Sequence, residues 1–203
     1  MVSRDSDYFQ ELQTQTGWGR TLYGFAVWCA PQPGTLTLDV GCGPGLLPSI
    51  FSNLGCKAVG IDLDIGMFKP SPLHPIAAVA DVNALPLKPN TFDLITASNL
   101  IFLLTEPLKA LVKLKLLLRS GGKVALLNPS ELLDHQSATV FADENGMEGI
   151  ARDTLLNWAT RAVEHHRWTD DETCTLYTAA GLKYQGSVLK VGPGFGRFSS
   201  GIA

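Results

Sequence analysis

The sequence predicts an α/β fold built on a parallel sheet covered by helices on both faces. Two observations predict it. β-prone runs alternate with helix-compatible runs from residue 35 to residue 128, the order that lays strands side by side with crossover helices. Charge is also scarce: Lys, Arg, Asp and Glu make up 17% of the 203 residues, against roughly 25% in an average soluble domain. Strands buried on both faces carry few polar residues, and this accounts for much of the deficit. The 36 residues from Thr21 to Cys56 contain one charged side chain, Asp39.

The elements follow in chain order. Leu22 to Cys29 has helix-compatible composition, and Thr35 to Val40 is a short β-prone run that ends in glycines. Leu46 to Leu54 suits a helix and Lys57 to Asp62 a buried strand. After a short helical piece near Met67, the spacing of Pro70, Pro72 and Pro75 enforces an extended loop, because proline fixes φ and restrains the residue before it. Ile76 to Asp81 and Phe92 to Ser98 read as two more strands. Leu108 to Arg119 is an amphipathic helix with Gly121 and Gly122 as stop signals, and Lys123 to Asn128 is the next strand. From Pro129 to Glu172 ten acids outnumber three bases, a net −7, and the segment reads as an acidic helical insertion. Asp170 to Ala180 suits a helix that Gly181 ends, and Tyr184 to Val191 and Phe195 to Ile202 form a closing hairpin. Gly192-Pro193-Gly194-Phe195-Gly196 is that hairpin's loop, since no helix follows it and Pro-Gly marks a turn.

Composition excludes several classes. The formal net charge of −3 gives no global field to collect nucleic acid or an anionic membrane surface. Apolar stretches such as Leu100 to Leu104 fall far short of the roughly 20 residues of a membrane span. The first ten residues mix both signs and no apolar region follows, so no signal peptide is expected and the expected location is cytoplasmic. Cys29, Cys42, Cys56 and Cys174 form no C-x-x-C pair and no cluster with histidine, so reduced structural thiols and no metal are expected. Lys109, Lys113, Lys115 and Arg119 read as a solvated helix face without the interleaved aromatics of a base-stacking surface.

The most informative segment is Leu36-Thr37-Leu38-Asp39-Val40-Gly41-Cys42-Gly43-Pro44-Gly45-Leu46, where a strand runs through a glycine turn into a helix. Glycines let a backbone approach a ligand closely, and the helix start supplies oriented N–H groups. No lysine follows the turn, so it is not a P-loop. The third glycine falls at Gly45 rather than at position 46, where a dinucleotide fingerprint requires it.

With that motif the sequence resembles the class I S-adenosylmethionine-dependent methyltransferases, particularly the small-molecule, ubiquinone-biosynthesis-like branch of methyltransferase type 11. Ala58-Val59-Gly60-Ile61-Asp62, Asp81-Val82-Asn83-Ala84-Leu85-Pro86, Phe92-Asp93-Leu94-Ile95-Thr96-Ala97-Ser98 and Leu118-Arg119-Ser120-Gly121-Gly122-Lys123 continue the resemblance in order. It departs at Asp64-Ile65-Gly66-Met67, where the family has Ser-Pro-x-Met. The resemblance implies a Rossmann-like, doubly wound, seven-stranded and mostly parallel sheet, with an antiparallel C-terminal strand and a helical cap insertion. It implies S-adenosyl-L-methionine as cofactor, held by Asp39, Gly41, Cys42, Gly43, Gly45, Asp62, Leu63, Met67, Asp81, Val82 and Asn99. In it Asp62 takes the ribose hydroxyls, and Asp81 and Val82 meet the adenine. Asp39 favours the cofactor's positive charge or orders the loop.

Arg20 either forks onto the cofactor carboxylate or is a helix-start cation. Tyr8 and Phe9 sit on a segment that closes as a lid in similar enzymes. The expected layout is one domain over 1–203: N-terminal helices and lid (1–30), cofactor-binding core (35–128), helical cap (129–169), and a helix with a closing hairpin (170–203). The expected reaction is in-line methyl transfer to a small molecule by a monomer or homodimer, with no nucleic acid or membrane partner. Asn128, Trp158 and Tyr8 are candidates for the acceptor pocket. His135, His165 and His166 are candidate bases for which a surface or packing role is the stronger reading, and His74 has no assigned role. The net −7 cap suggests a neutral or cationic acceptor. A catalytically silent cofactor-binding protein and an NAD-dependent oxidoreductase are the alternatives.

Overall fold

Residue 11 and residues 16–68, 76–82 and 84–203 are described by the computed structural model. Their helices are α1 (Trp18–Trp28), α2 (Leu46–Asn53), α3 (Pro107–Leu117), α4 (His135–Glu144), α5 (Gly149–Glu164) and α6 (Asp170–Ala179). The strands are β1 (Leu36–Val40), β2 (Lys57–Asp62), β3 (Ile76–Val79), β4 (Phe92–Ser98), β5 (Leu118–Pro129), β6 (Lys183–Lys190) and β7 (Gly196–Ile202). Single 3₁₀ turns occupy Ile65–Met67 and Ile101–Leu103.

The seven strands form one sheet in the order β3-β2-β1-β4-β5-β7-β6. The first five are parallel, and β7 runs antiparallel to both its neighbours, as the family resemblance implies. Strand order reverses between β1 and β4, which opens a crevice at the carboxyl ends of the strands.

Period-two alternation splits the strands between two cores. Leu38, Val40, Ile61, Ile95, Val124 and Leu126 pack on one face with Ala110, Leu111 and Leu114 of α3 and Tyr177 of α6. Leu94, Ala125, Leu127 and Phe198 pack on the other with Leu22, Phe25 and Ala26 of α1 and Leu47, Ile50 and Phe51 of α2. A third cluster joins Ala138 and Ala142 of α4, Leu155, Ala159 and Ala162 of α5, and Phe195 of the hairpin loop.

Four expected boundaries move by two residues or more. The first helix begins at Trp18 rather than Leu22, and β3 ends at Val79 rather than Asp81. The helix expected to run to Arg119 stops at Leu117, and β5 starts at Leu118, ahead of Gly121 and Gly122. Leu118 pairs with Phe92, and the register then shifts so that Lys123 pairs with Leu94. The glycines therefore serve an irregular strand entry instead of a helix stop. Arg119 is held there by Asp93 at 2.8 Å, whose other oxygen accepts from Leu36 N at 2.9 Å. Asp93's carboxyl lies below its ordinary range, first because of the Leu36 hydrogen bond and then because of Arg119.

Much of the insertion's acidity serves helix starts and ion pairs. Asp134 and Ser137 form a capping box on α4, and Thr169 and Glu172 form one on α6, whose first turn carries Asp170, Asp171 and Glu172.

Tyr177 is fully buried and donates to Ser199 O at 3.0 Å. Its ring lies so close to β7 that a Cβ on Gly201 would sit 2.4 Å from Tyr177 Cδ1. Gly201→Ala is expected to cost about 2 kcal/mol, a fall in Tm of roughly 4–8 °C by calorimetry. An unchanged Tm would show that the ring has room to move.

No helix among the described residues is long and apolar enough to cross a membrane.

Candidate functional site

The crevice at the strand ends is a cleft of about 1220 Å³. Single small-molecule sites are usually about 300–1,000 Å³, so this one has room for more than one ligand. Asp39, Gly41, Cys42, Gly43, Asp62, Met67, Ser98 and Asn99 line one end. Phe141 of α4, Leu155, Trp158 and Arg161 of α5, and Lys190, Val191, Gly192 and Phe195 around the hairpin line the other, with α1 contributing Trp18 and Arg20.

The glycine loop is built by hydrogen bonds to the end of β2. Gly41 N and Cys42 N both donate to Ile61 O, at 2.8 and 2.9 Å. Gly41, Gly43 and Gly45 have φ of +72°, +54° and +92°, a region that strains other L-residues. A Cβ on Gly43 would meet nothing within 4 Å, so the loop backbone is open to a ligand there. A Cβ on Gly60 of β2 would lie 2.7 Å from Cys42 Sγ, so that glycine lets the loop lie flat on the strand.

Asp62 ends β2 and joins the loop to the turn that follows. Its Oδ2 accepts from Gly43 N at 2.9 Å and its Oδ1 from Asp64 N at 3.0 Å. Each oxygen keeps acceptor capacity for a ligand. Asp64 is committed elsewhere, capping the Ile65–Met67 turn by accepting from Gly66 N at 2.7 Å. Asp62 lines the cleft and Asp64 does not.

Asp39 is only 3% exposed, in β1, where it accepts from Thr96 Oγ1 at 2.7 Å. Burial pushes its carboxyl up to about 7; the Thr96 hydrogen bond opposes the shift, and the nearby Asp62 adds to it. Two carboxylates thus face one end of the cleft, and positive charge bound beside the buried one favours its ionised form. Asn99 of the same lining has φ of +54°, and its buried Oδ1 has no hydrogen-bond partner among the described residues.

Some candidate residues lie off the lining. Gly45 is the N-cap of α2, Leu63 is exposed beyond the rim and Val82 is buried in the core. Asp81 follows β3 and also lies off the described lining. Tyr8, Phe9, His74 and Asn83 lie outside the described residues. Asn128, expected in the acceptor pocket, does not line it: it is buried, and its Oδ1 accepts from Phe102 N at 3.3 Å, fixing the Ile101–Leu103 turn. Trp158 does line the cleft.

His135, His165 and His166 stay off the lining, with His166 stacked on Trp168. Trp18, Ser98, Arg161 and the Lys190–Gly192 corner line it without having been singled out in the sequence. They share no motif: Trp18 opens α1, Arg161 lies in the last turn of α5, and the others sit at or just past strand ends.

None of the ten acids between Pro129 and Glu172 lines the cleft. Asp143 pairs with Arg152, Asp134 with Arg167, and Glu131 and Asp170 with Arg197. The insertion's net charge therefore says nothing about the acceptor, and the expectation of a neutral or cationic molecule loses its basis.

Residues 38–126, from the middle of β1 to β5, match the methyltransferase domain family. The ubiquinone biosynthesis O-methyltransferase of Xanthomonas euvesicatoria is 32% identical over 167 residues, covering 75% of this chain and 67% of that enzyme. The chain belongs to the class I S-adenosylmethionine-dependent methyltransferases. The demethylmenaquinone methyltransferase of Renibacterium salmoninarum is 33% identical over 155 residues, 72% of this chain and 65% of that enzyme. The match to the ubiquinone biosynthesis O-methyltransferase of Xanthomonas campestris spans 52% of that protein, so the methyltransferase match covers between about half and two thirds of such curated relatives. The fold agrees with the crystal structure of the Synechocystis magnesium protoporphyrin IX methyltransferase with bound SAH, at a TM-score of 0.70 and 15% identity over 99% of this chain and 95% of that one.

Proposed function

We propose that the cleft binds S-adenosylmethionine at its carboxylate end and that the chain transfers the methyl group, by in-line attack, to a small molecule held under α4 and α5. The observation that carries this reading is a buried and a half-buried carboxylate flanking an open glycine loop, in a cleft larger than one ligand needs.

The residues present suit the cofactor. Asp62 can accept both ribose hydroxyls on the lone pairs that Gly43 and Asp64 leave free. Asp39, held by Thr96 in an apolar surround, favours the ammonium and sulfonium charges more strongly than a hydrated carboxylate would. Gly41, Cys42 and Gly43 offer backbone, Asn99 offers an unused carbonyl oxygen, and Met67 offers an apolar edge. Arg20, exposed at the cleft and without a carboxylate partner among the described residues, takes the cofactor's carboxylate. Asp81, Val82, Leu63 and Gly45 support the adenine side and the loop from outside the lining, and Tyr8 is the remaining cofactor-binding candidate.

Bound there, S-adenosylmethionine supplies a methyl carbon on a sulfonium whose leaving group is a neutral thioether, so no acid is asked of the chain. What remains is alignment and exclusion of water, which together supply up to roughly 7–11 kcal/mol. The aromatic wall of α4, α5 and the hairpin loop performs the exclusion. An acceptor arriving with its nucleophile ionised needs no base, which suits a described lining without histidine. The same reading takes 1–203 as one unit, with 129–169 as the cap, working in the cytoplasm with its thiols reduced.

Calorimetric titration with S-adenosylmethionine, its demethylated product and NAD tests the cofactor. The first two should bind and NAD should not; NAD binding without the others would support an oxidoreductase instead. Asp62→Ala should weaken S-adenosylmethionine about 30-fold, the loss of two charge-assisted hydrogen bonds at a half-exposed site. Unchanged affinity would remove Asp62 from the site. Product formation with a panel of acceptors separates turnover from silent binding.

A further inference from the structure

We propose that the acceptor is a flat apolar molecule carrying an oxyanion, held at the α5 end of the cleft by Arg161, Lys190 and the Trp158 indole. This rests on the transferase reading above and names the substrate class of the same site.

The apolar body is argued from the walls. Trp18 meets Trp158 edge-on with ring centroids 5.6 Å apart, and Phe141 meets Phe195 edge-on at 5.5 Å. Leu155 and Met147 complete the surface. Such walls suit an aromatic or conjugated ring system.

The oxyanion is argued from what is left unpaired. The insertion has three arginines; Arg152 and Arg167 face away from the cleft and are paired with Asp143 and Asp134. Arg161, in the last turn of α5, lines the cleft and has no carboxylate within ion-pair distance among the described residues. Lys190, at the end of β6, lines the same end and is likewise without one. Trp158 lines the cleft as well, and its Nε1–H is buried with no hydrogen-bond partner among the described residues. These three groups only donate, and the acidic side chains of the lining, Asp39 and Asp62, lie at the cofactor end. A ligand that supplies acceptors and negative charge satisfies all three, whereas an ammonium satisfies none.

The test uses 2-naphthoate, 2-naphthamide and 2-naphthylmethylammonium, which share a ring system and differ in charge. They are titrated calorimetrically into the protein with and without saturating S-adenosylhomocysteine. Naphthoate should bind roughly tenfold or more tighter than the amide, with the ammonium weakest, and its affinity should fall as salt is raised. In Arg161→Gln/Lys190→Gln the naphthoate preference should collapse to about twofold or less while the amide affinity holds, which also shows that the variant is folded. Equal binding of all three, absence of binding by all three, or a preference that survives the double substitution would overturn the proposal. Naphthoate selectivity without S-adenosylhomocysteine binding would sink the transferase reading instead. S-adenosylhomocysteine binding without naphthoate selectivity would sink only the acceptor class.

Discussion

Asp39→Asn is expected to weaken S-adenosylmethionine binding about 100-fold at pH 8 and, in the ligand-free protein, to raise stability by roughly 2–4 kcal/mol. Both effects come from one buried charge. With a carboxyl raised from 3.8 to about 7 by burial, the folded protein keeps a proton that the unfolded chain has already lost. Stability attributable to this group therefore falls as pH rises from about 4 to about 7, and the full cost is present above that window. Asparagine never ionises, and its amide oxygen can still accept from Thr96 Oγ1, so the variant escapes the cost. The ligand loses the buried anion that meets its positive charge. Urea denaturation at pH 5 and pH 8 should show the variant's advantage growing with pH. Calorimetry should show the ratio of wild-type to variant affinity rising about tenfold from pH 6 to pH 8, because the wild type must shed a proton to bind. A variant less stable than wild type at pH 8 would mean that the native carboxylate is already compensated. A gain in stability with a loss of function is the signature of a group retained for binding.

Arg197→Met is expected to lose about 3–5 kcal/mol of stability, read by urea denaturation. Arg197 lies on β7, and its side chain is 7% exposed. It forks onto Glu131 at 3.0 and 2.8 Å, reaches Asp170 at 3.3 Å and donates through Nε to Trp168 O at 3.2 Å. One guanidinium thus fastens β7 to the exit of β5 and to the start of α6. Asp170 also accepts from Tyr184 OH at 2.6 Å and from Ser187 Oγ. Methionine fills similar volume and leaves Glu131 without its partner, while Asp170 keeps its two hydroxyls and half its surface in water, so the lower end of the range is expected. Asp170's carboxyl is held below 3.8, chiefly by the Ser187 and Tyr184 hydroxyls and then by Arg197. Its share of the stability is present above that value and is lost as pH falls through the lowered one, so the gap between variant and wild type should narrow in acid. A loss under about 1 kcal/mol would show the network to be solvated and dispensable.

The carboxylate end of the cleft was legible because its residues are consecutive or fixed to strand ends. Asp39 through Gly45 is one unbroken segment whose glycines need positive φ, and Asp62 closes a strand whose bounds were read correctly at Lys57 and Asp62. The α5 end was not legible. Arg161 and Lys190 are ordinary surface-type residues in sequence, 29 positions apart, and only the packing of α5 against the hairpin brings both to one wall. Asn128 illustrates the converse: a polar residue at the end of the right strand, its side chain turned to a backbone N–H of the Ile101–Leu103 turn instead of the cleft.

Charge teaches the same division. By itself the sequence determined where burial excludes charge, because strands covered on both faces cannot hold ions without partners, and it thereby left Asp39 and Asp62 conspicuous. It also determined the alternating order of strands and helices and the glycine turn. It could not decide which way the insertion's acids point. Net charge sums over a segment, whereas a ligand meets only the side chains on one face. The tertiary structure turned those acids outward onto helix caps and arginines, and left Arg161 and Lys190 on the cleft lining without an ion-pair partner among the described residues.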